Sequence, residues 1–115
     1  MRKTFIFTMT LAIGLFLFAG VECLAFDEIK VGAILAETGG ASFLGGPEAR
    51  TMRMMVDKIN ADGGVLGKKI NLIIKDSGAN PEKAISFTKQ LIEEEKVLAI
   101  LGPSTSGETM KIKKA

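Results

Sequence analysis

Histidine is absent from the 115 residues, and cysteine occurs once, at Cys23. Without histidine, neither a Ser/His/Asp nor a Cys/His nucleophile set can be assembled. A Cys/His metal site is excluded for the same reason. One cysteine cannot form a disulfide within the chain, so a folded domain here must rest on its apolar core. An excess of charge is lacking too. The 15 basic and 13 acidic side chains leave a net charge of +2, and nothing in that balance points to nucleic acid as a partner. No pair of carboxylates is placed by spacing at a common site. The length allows one domain at most.

The most apolar stretch lies at the start. Met1-Arg2-Lys3 is a short basic opening, and Thr4 to Val21 is almost wholly apolar. A short polar, small-residue region follows. This is the order of a secretory signal peptide. The small-x-small run Cys23-Leu24-Ala25 places the cut after Ala25, which makes residues 1–25 the signal peptide and Phe26 the mature start. Two alternatives stand beside it. The apolar run is about the minimum length of a membrane span, so an uncleaved anchor is one. Lipidation at Cys23 is the other, although Glu22 is a poor fit to the small residue that would precede it. With the cut after Ala25, the mature chain has 90 residues, with 13 basic and 12 acidic side chains and no cysteine.

The remaining residues, 26–115, alternate between two periodicities. Ile29–Leu35 is apolar first in alternation and then continuously, as in a strand. The glycine-rich loop Glu37–Gly46 leads to Pro47, which suits the first turn of a helix, and Glu48, which suits its positive end. Met52, Met55, Val56 and Ile59 form one stripe of that helix at i, i+3, i+4 and i+7, and Asn60-Ala61-Asp62-Gly63-Gly64 stops it. Ile70–Ile74 is a second strand. Asn80-Pro81 signals a second helix start, with a stripe of Ala84, Ile85, Thr88, Leu91 and Ile92. Val97–Leu101, five apolar residues bounded by Gly102-Pro103, reads as a buried parallel strand. A third helix opens after Thr105 and continues into Met110–Ala115. Strands alternating with helices in the order β-α-β-α-β-α predict an α/β fold with a partial parallel sheet.

In such sheets, ligands sit at the carboxyl ends of strands beside helix starts. The loop Gly102-Pro103-Ser104-Thr105-Ser106-Gly107 is therefore the first place to look for a bound solute. Thr105 with Glu108 also fits the capping box S/T-x-x-E, and capping alone accounts for both residues. Gly40-Ala41-Ser42-Phe43-Leu44-Gly45 satisfies G-x-x-x-x-G, but Gly46-Pro47 follows where a phosphate loop needs Lys and Ser/Thr. A dinucleotide fingerprint is missing, and Asp76 is explained by fixing its own turn. No cofactor is expected.

Taken together, several segments resemble one family. They are Lys30-Val31-Gly32 with Thr38-Gly39, the run Ile59-Asn60-Ala61-Asp62-Gly63-Gly64-Val65-Leu66-Gly67-Lys68-Lys69-Ile70, Asp76 with Asn80-Pro81, and Leu101–Gly107. They are similar to the N-terminal lobe of type I periplasmic binding proteins, above all to the branched-chain amino-acid (leucine/isoleucine/valine) binding component of ABC importers. The resemblance covers roughly Glu28 to Lys114, and the Ile59–Ile70 run is its most specific part.

The resemblance implies a periplasmic solute-binding protein, not an enzyme. Its ligand would be an amino acid or a similar small carboxylate, and its partner an ABC transporter permease in the membrane. It also implies that hydroxyls and amides after the third strand hold the ligand's α-carboxylate. Carried over, this singles out Ser106 first, then Thr105 and Ser104. Phe43 and Leu44, at the cleft mouth, are candidates for apolar contact, and they stand where many family members carry an aromatic hydroxyl. Family members continue for several times this length, so residues 26–115 are expected to be a partial N-terminal lobe holding half a site, inactive alone. Two other readings stay open: a membrane-tethered ligand-sensing receptor domain of the same fold, and an α/β enzyme domain.

Overall fold

A computed structural model describes residues 28–114. The signal peptide expected over residues 1–25 and the mature start expected at Phe26 lie outside the described residues. The element order is β1 (Ile29–Leu35), α1 (Ser42–Ala61), β2 (Ile70–Asp76), α2 (Pro81–Glu93), β3 (Ala99–Leu101) and α3 (Ser106–Ile112), as the alternation predicts. The three strands form a parallel sheet in the order β2-β1-β3.

That order makes β1 the central strand, and its side chains alternate between two buried faces. Ala33 and Leu35 pack with Ala49 of α1, joined by Met52, Leu72 and Ile74. Ile34 points the other way, onto Ala84 and Leu91 of α2, joined by Ile73, Phe87, Val97, Ile100 and Ile112. The sheet is thus covered by α1 on one face and by α2 with α3 on the other.

Three expectations from the periodicity need correction. The first helix begins at Ser42, not at Pro47, and Pro47 lies inside it. Ala41 makes no side-chain cap. The turn is closed instead by backbone bonds, from the Leu44 N–H and the Gly45 N–H to the Ala41 carbonyl (2.9 and 3.2 Å). Such a start leaves no capping residue to read in a sequence. Pro47 withholds one N–H from the Phe43 carbonyl, near the open start of the helix where that carbonyl can be solvated. The buried stripe of α1 also runs through Gly45, Ala49, Met52, Val56 and Ile59, while Met55 is turned outward. On α2, Phe87 joins the core and Ile92 is exposed.

The third correction concerns β3. It is parallel to β1, with Ala33 opposite Leu101, but among the described residues no strand pairs with its other side. Ala99 and Leu101 are exposed, and only Ile100 reaches the core. A run of apolar residues records affinity for a core, not the strand's place in the sheet.

Helix ends and sheet edges are closed by named side chains. Asn80 caps α2 by accepting the Lys83 N–H at 3.0 Å, with Pro81 at the first helical position. Asn60 tethers the end of α1 to the start of β2. Its amide donates to the Ile70 carbonyl (2.8 Å) and accepts the Ile70 N–H (2.7 Å), as a neighbouring strand would. After it the chain turns through Gly63 and Gly64, both at positive φ.

Gly45 sets how closely α1 approaches the sheet. A Cβ there would lie 2.3 Å from the Ala36 carbonyl carbon and oxygen, which are backbone and cannot yield, whereas a Cβ on Gly46 would meet only the Arg50 guanidinium at 3.5 Å. Gly45→Ala is expected to cost about 1–3 kcal/mol by overpacking. Gly46→Ala should cost less than Gly45→Ala, because its Cβ meets no distant backbone and the gain in helix propensity offsets its contact with the Pro47 ring. Urea unfolding of the two variants beside the parent checks this order.

Candidate functional site

From β1 the chain crosses to β2 on one side, and from β2 it returns past β1 to β3 on the other. The point where the winding reverses lies between the carboxyl ends of β1 and β3, which is where open α/β sheets bind ligands. The loops that leave these two ends, 36–41 and 102–105, meet there. The Ala36 N–H donates to Ser104 Oγ at 3.1 Å. Gly102 allows this approach: its φ is +93°, and a Cβ on it would lie 2.3 Å from the Ile34 carbonyl oxygen.

The three consecutive hydroxyls after β3 differ in what holds them. Ser104 donates its proton to Glu48 Oε2 of α1 at 2.5 Å while accepting from Ala36. Thr105 is the N-cap of α3. Its hydroxyl donates to Glu108 Oε2 at 2.6 Å and accepts the Glu108 N–H at 3.4 Å, so the capping role foreseen for Thr105 and Glu108 is present. Ser106 is exposed, and its hydroxyl has no partner among the described residues. It opens α3, where the first helical N–H groups lack carbonyl partners within the helix.

A shallow hollow of about 330 Å³ lies against this loop, lined by Pro103, Ser104, Thr105, Ser106, Thr109 and Met110. Phe43 and Leu44 lie in the first turn of α1 and are exposed, Phe43 at 72%, but neither lines the hollow. The candidates therefore fall into two groups, one on each side of the end of β1. A larger hollow of about 590 Å³ runs along β2 and α1 between residues such as Asn60, Asn71 and Arg53. It belongs to the open edge of β2 and not to the carboxyl ends of β1 and β3.

Residue-by-residue reading of the sequence missed Glu48 and Ala36. Glu48 reads as an ordinary helix-start acid, but it lies beyond the first turn of α1 and serves Ser104. Its only sequence signal is a carboxylate placed just past the glycine pair.

Asp76, at the end of β2, fixes its own turn by accepting the Gly78 N–H at 3.0 Å. It also holds the first loop, accepting the Thr38 hydroxyl at 2.7 Å and the Thr38 N–H at 3.2 Å. Partial burial pushes its pKa up, but the bonds from the Thr38 hydroxyl and the amides of Thr38, Gly78 and Glu37 outweigh this and hold it below the ordinary value. Glu37 pairs in turn with Arg53 of α1 through two 3.0 Å bonds, which raise the guanidinium pKa further. Among the described residues, no group of three or more His, Cys, Asp or Glu side chains is placed to hold a metal ion.

Residues 28–115 match the profile of the family described as periplasmic binding protein. The chain belongs to that family. Its relatives include the Leu/Ile/Val-binding protein homolog 7 of Brucella abortus, 37% identical over 86 residues, an alignment spanning 75% of this chain and 21% of the relative. The "amino acid binding protein" of Pseudomonas aeruginosa is 28% identical over 91 residues, or 79% of this chain and 24% of that one. Among solved structures, the branched-chain amino acid transporter substrate binding protein LivJ of Streptococcus pneumoniae, in complex with isoleucine, superposes with a TM-score of 0.72 at 38% identity. That match covers 74% of this chain and 24% of LivJ. The leucine binding protein LivK of Thermotoga maritima gives a TM-score of 0.61 at 29% identity, over 75% and 24% of the two chains. These relatives are binding proteins and not enzymes, and this chain spans between a fifth and a quarter of their length. Over the matched part, the solved relatives share the α/β architecture described above.

The Asp76 tether common to the first two loops has a pH signature. A carboxyl whose folded pKa is lowered contributes stability that is fully present above its ordinary value of 3.8 and is lost as pH falls through the lowered folded value. Asp76→Asn should melt below the parent at neutral pH, and the gap should close on acidification through the carboxylate range. Thermal midpoints taken from neutral pH downward check this. A gap that stays constant with pH would assign the linkage to another group.

Proposed function

We propose that residues 28–114 form the carboxylate-binding part of a solute-binding protein that takes a branched-chain or closely related amino acid in the periplasm and delivers it to an ABC transporter permease. In this reading the ligand's carboxylate is received by the Ser106 hydroxyl with the free N–H groups at the start of α3. Thr105 supports it as the cap and Ser104 as the anchor of the loop. Phe43 and Leu44 offer apolar contact from the other side of the end of β1. Groups that complete the site for the ligand's ammonium and side chain come from beyond these residues.

The observation that carries the proposal is the state of Ser106. Of three adjacent hydroxyls at the switch point, its proton is the one not committed to a protein carboxylate. A carboxylate is favoured where a hydroxyl and free N–H groups converge. The similarity to Leu/Ile/Val-binding relatives supports the class of ligand.

Calorimetric titration with L-leucine and L-isoleucine tests this in the full-length protein that carries the segment. Losing a hydrogen bond to a charged group costs about 1.5–3 kcal/mol. Ser106→Ala should therefore weaken binding by roughly tenfold to somewhat over a hundredfold, with little change in the unliganded melting temperature. Thr105→Ala should do the reverse, losing about 1 kcal/mol of stability with the cap. If Ser106→Ala leaves affinity intact while lowering the melting point, the ligand role assigned to Ser106 is wrong.

A further inference from the structure

We infer that Glu48 is a positioning residue for the solute site: acting through Ser104, it ties the loop that receives the carboxylate to α1, the helix that carries Phe43 and Leu44. The inference rests on the reading of the β3–α3 loop as ligand-receiving. Strand pairing between β1 and β3 ends with Ala33 opposite Leu101, so residues 102–105 pass beyond the ladder before α3 begins. What anchors them is Ser104. Its oxygen takes the Ala36 N–H, and its proton goes to Glu48 Oε2. A hydroxyl has one proton to give. By claiming it, Glu48 turns a lone pair of Ser104 toward Ala36 and takes Ser104 out of competition for the ligand as a donor. Three segments then meet at one oxygen: the residue that follows β1, the second turn of α1 and the loop after β3. Because Phe43 and Leu44 begin the same helix that carries Glu48, the tie sets the apolar side of the site against its carboxylate side.

The acceptor on residue 48 is what matters, not its charge, and this separates positioning from general electrostatics. Glu48→Gln keeps an oxygen that accepts from Ser104, whereas Glu48→Ala and Ser104→Ala remove one end of the tie. Amide exchange resolved along the full chain is measured beside L-leucine affinity. Glu48→Ala and Ser104→Ala should each speed exchange at the Ala36 amide and at the Glu108 and Thr109 amides held by Thr105 by about tenfold, and weaken leucine binding by a similar factor, as expected for a lost hydrogen bond. Exchange in the β1–β2 pairing should not change. Glu48→Gln should recover most of both effects, and the double variant should be no worse than the more affected single one. The inference is overturned if exchange at these amides is unaltered in Glu48→Ala, if glutamine fails to rescue, or if exchange rises evenly through the sheet. Should the parent protein bind neither leucine nor isoleucine, the ligand reading falls, while the exchange pattern still decides whether Glu48 holds the loop.

Discussion

The close backbone approach at the end of β1 is the constraint on which the other features depend. Gly45 of α1 sits where any Cβ would overlap the Ala36 peptide, and Gly102 sits where one would overlap the Ile34 carbonyl. Both contacts press a following element against the last residues of the central strand. From the first follows the seating of Ala49 and Met52 on Ala33 and Leu35. The second brings the loop after β3 within reach of Ala36, and α1 lies close enough for Glu48 to meet Ser104. A Cβ at either glycine could be accommodated only by moving helix or loop away from the end of β1, which would stretch these hydrogen bonds.

The polar groups on this frame can be understood by following each hydroxyl proton. Ser104 and Thr105 surrender theirs to Glu48 and Glu108, and Thr38 gives its own to Asp76. Carboxylates thus hold the loops at the carboxyl ends of the strands, leaving the Ser106 hydroxyl and the first amides of α3 to face solvent. Glu108 meets a local cost in this role. It is fully buried, and its Oε1 has no hydrogen-bond partner among the described residues. Desolvation of such an oxygen is unfavourable, yet the other oxygen fixes the cap and with it the start of α3.

The core is shared between two faces of one strand. β1 reads as a near-continuous apolar run because α1 covers one of its faces and α2 the other. Among the described residues β2 and β3 are the edges of the sheet, and their side chains are accordingly half-buried or exposed. Edge strands need their open backbone managed. The Asn60 amide does this at Ile70 by occupying both the N–H and the carbonyl, which gives the asparagine of the Ile59–Ile70 run a physical reason.

Local chemistry made much of the fold legible. The order of strands and helices, the Asn80-Pro81 start, the Thr105–Glu108 cap and the turn role of Asp76 are each written within a few adjacent residues, and short-range hydrogen bonding determines them. The loop after the third strand was legible for the same reason, since a strand, a polar turn and a capped helix follow one another directly. What only the tertiary structure decided involves partners far apart in the chain. The start of α1 at Ser42 depends on Gly45 packing against Ala36, not on any capping residue. The exposure of β3 depends on its neighbours in the sheet. The commitment of Ser104 depends on Glu48, 56 residues earlier. Periodicity and capping record what a residue prefers in its own segment. Which hydroxyl stays free and which apolar strand becomes an edge are properties of distant groups brought together, and they exist only once the chain has folded.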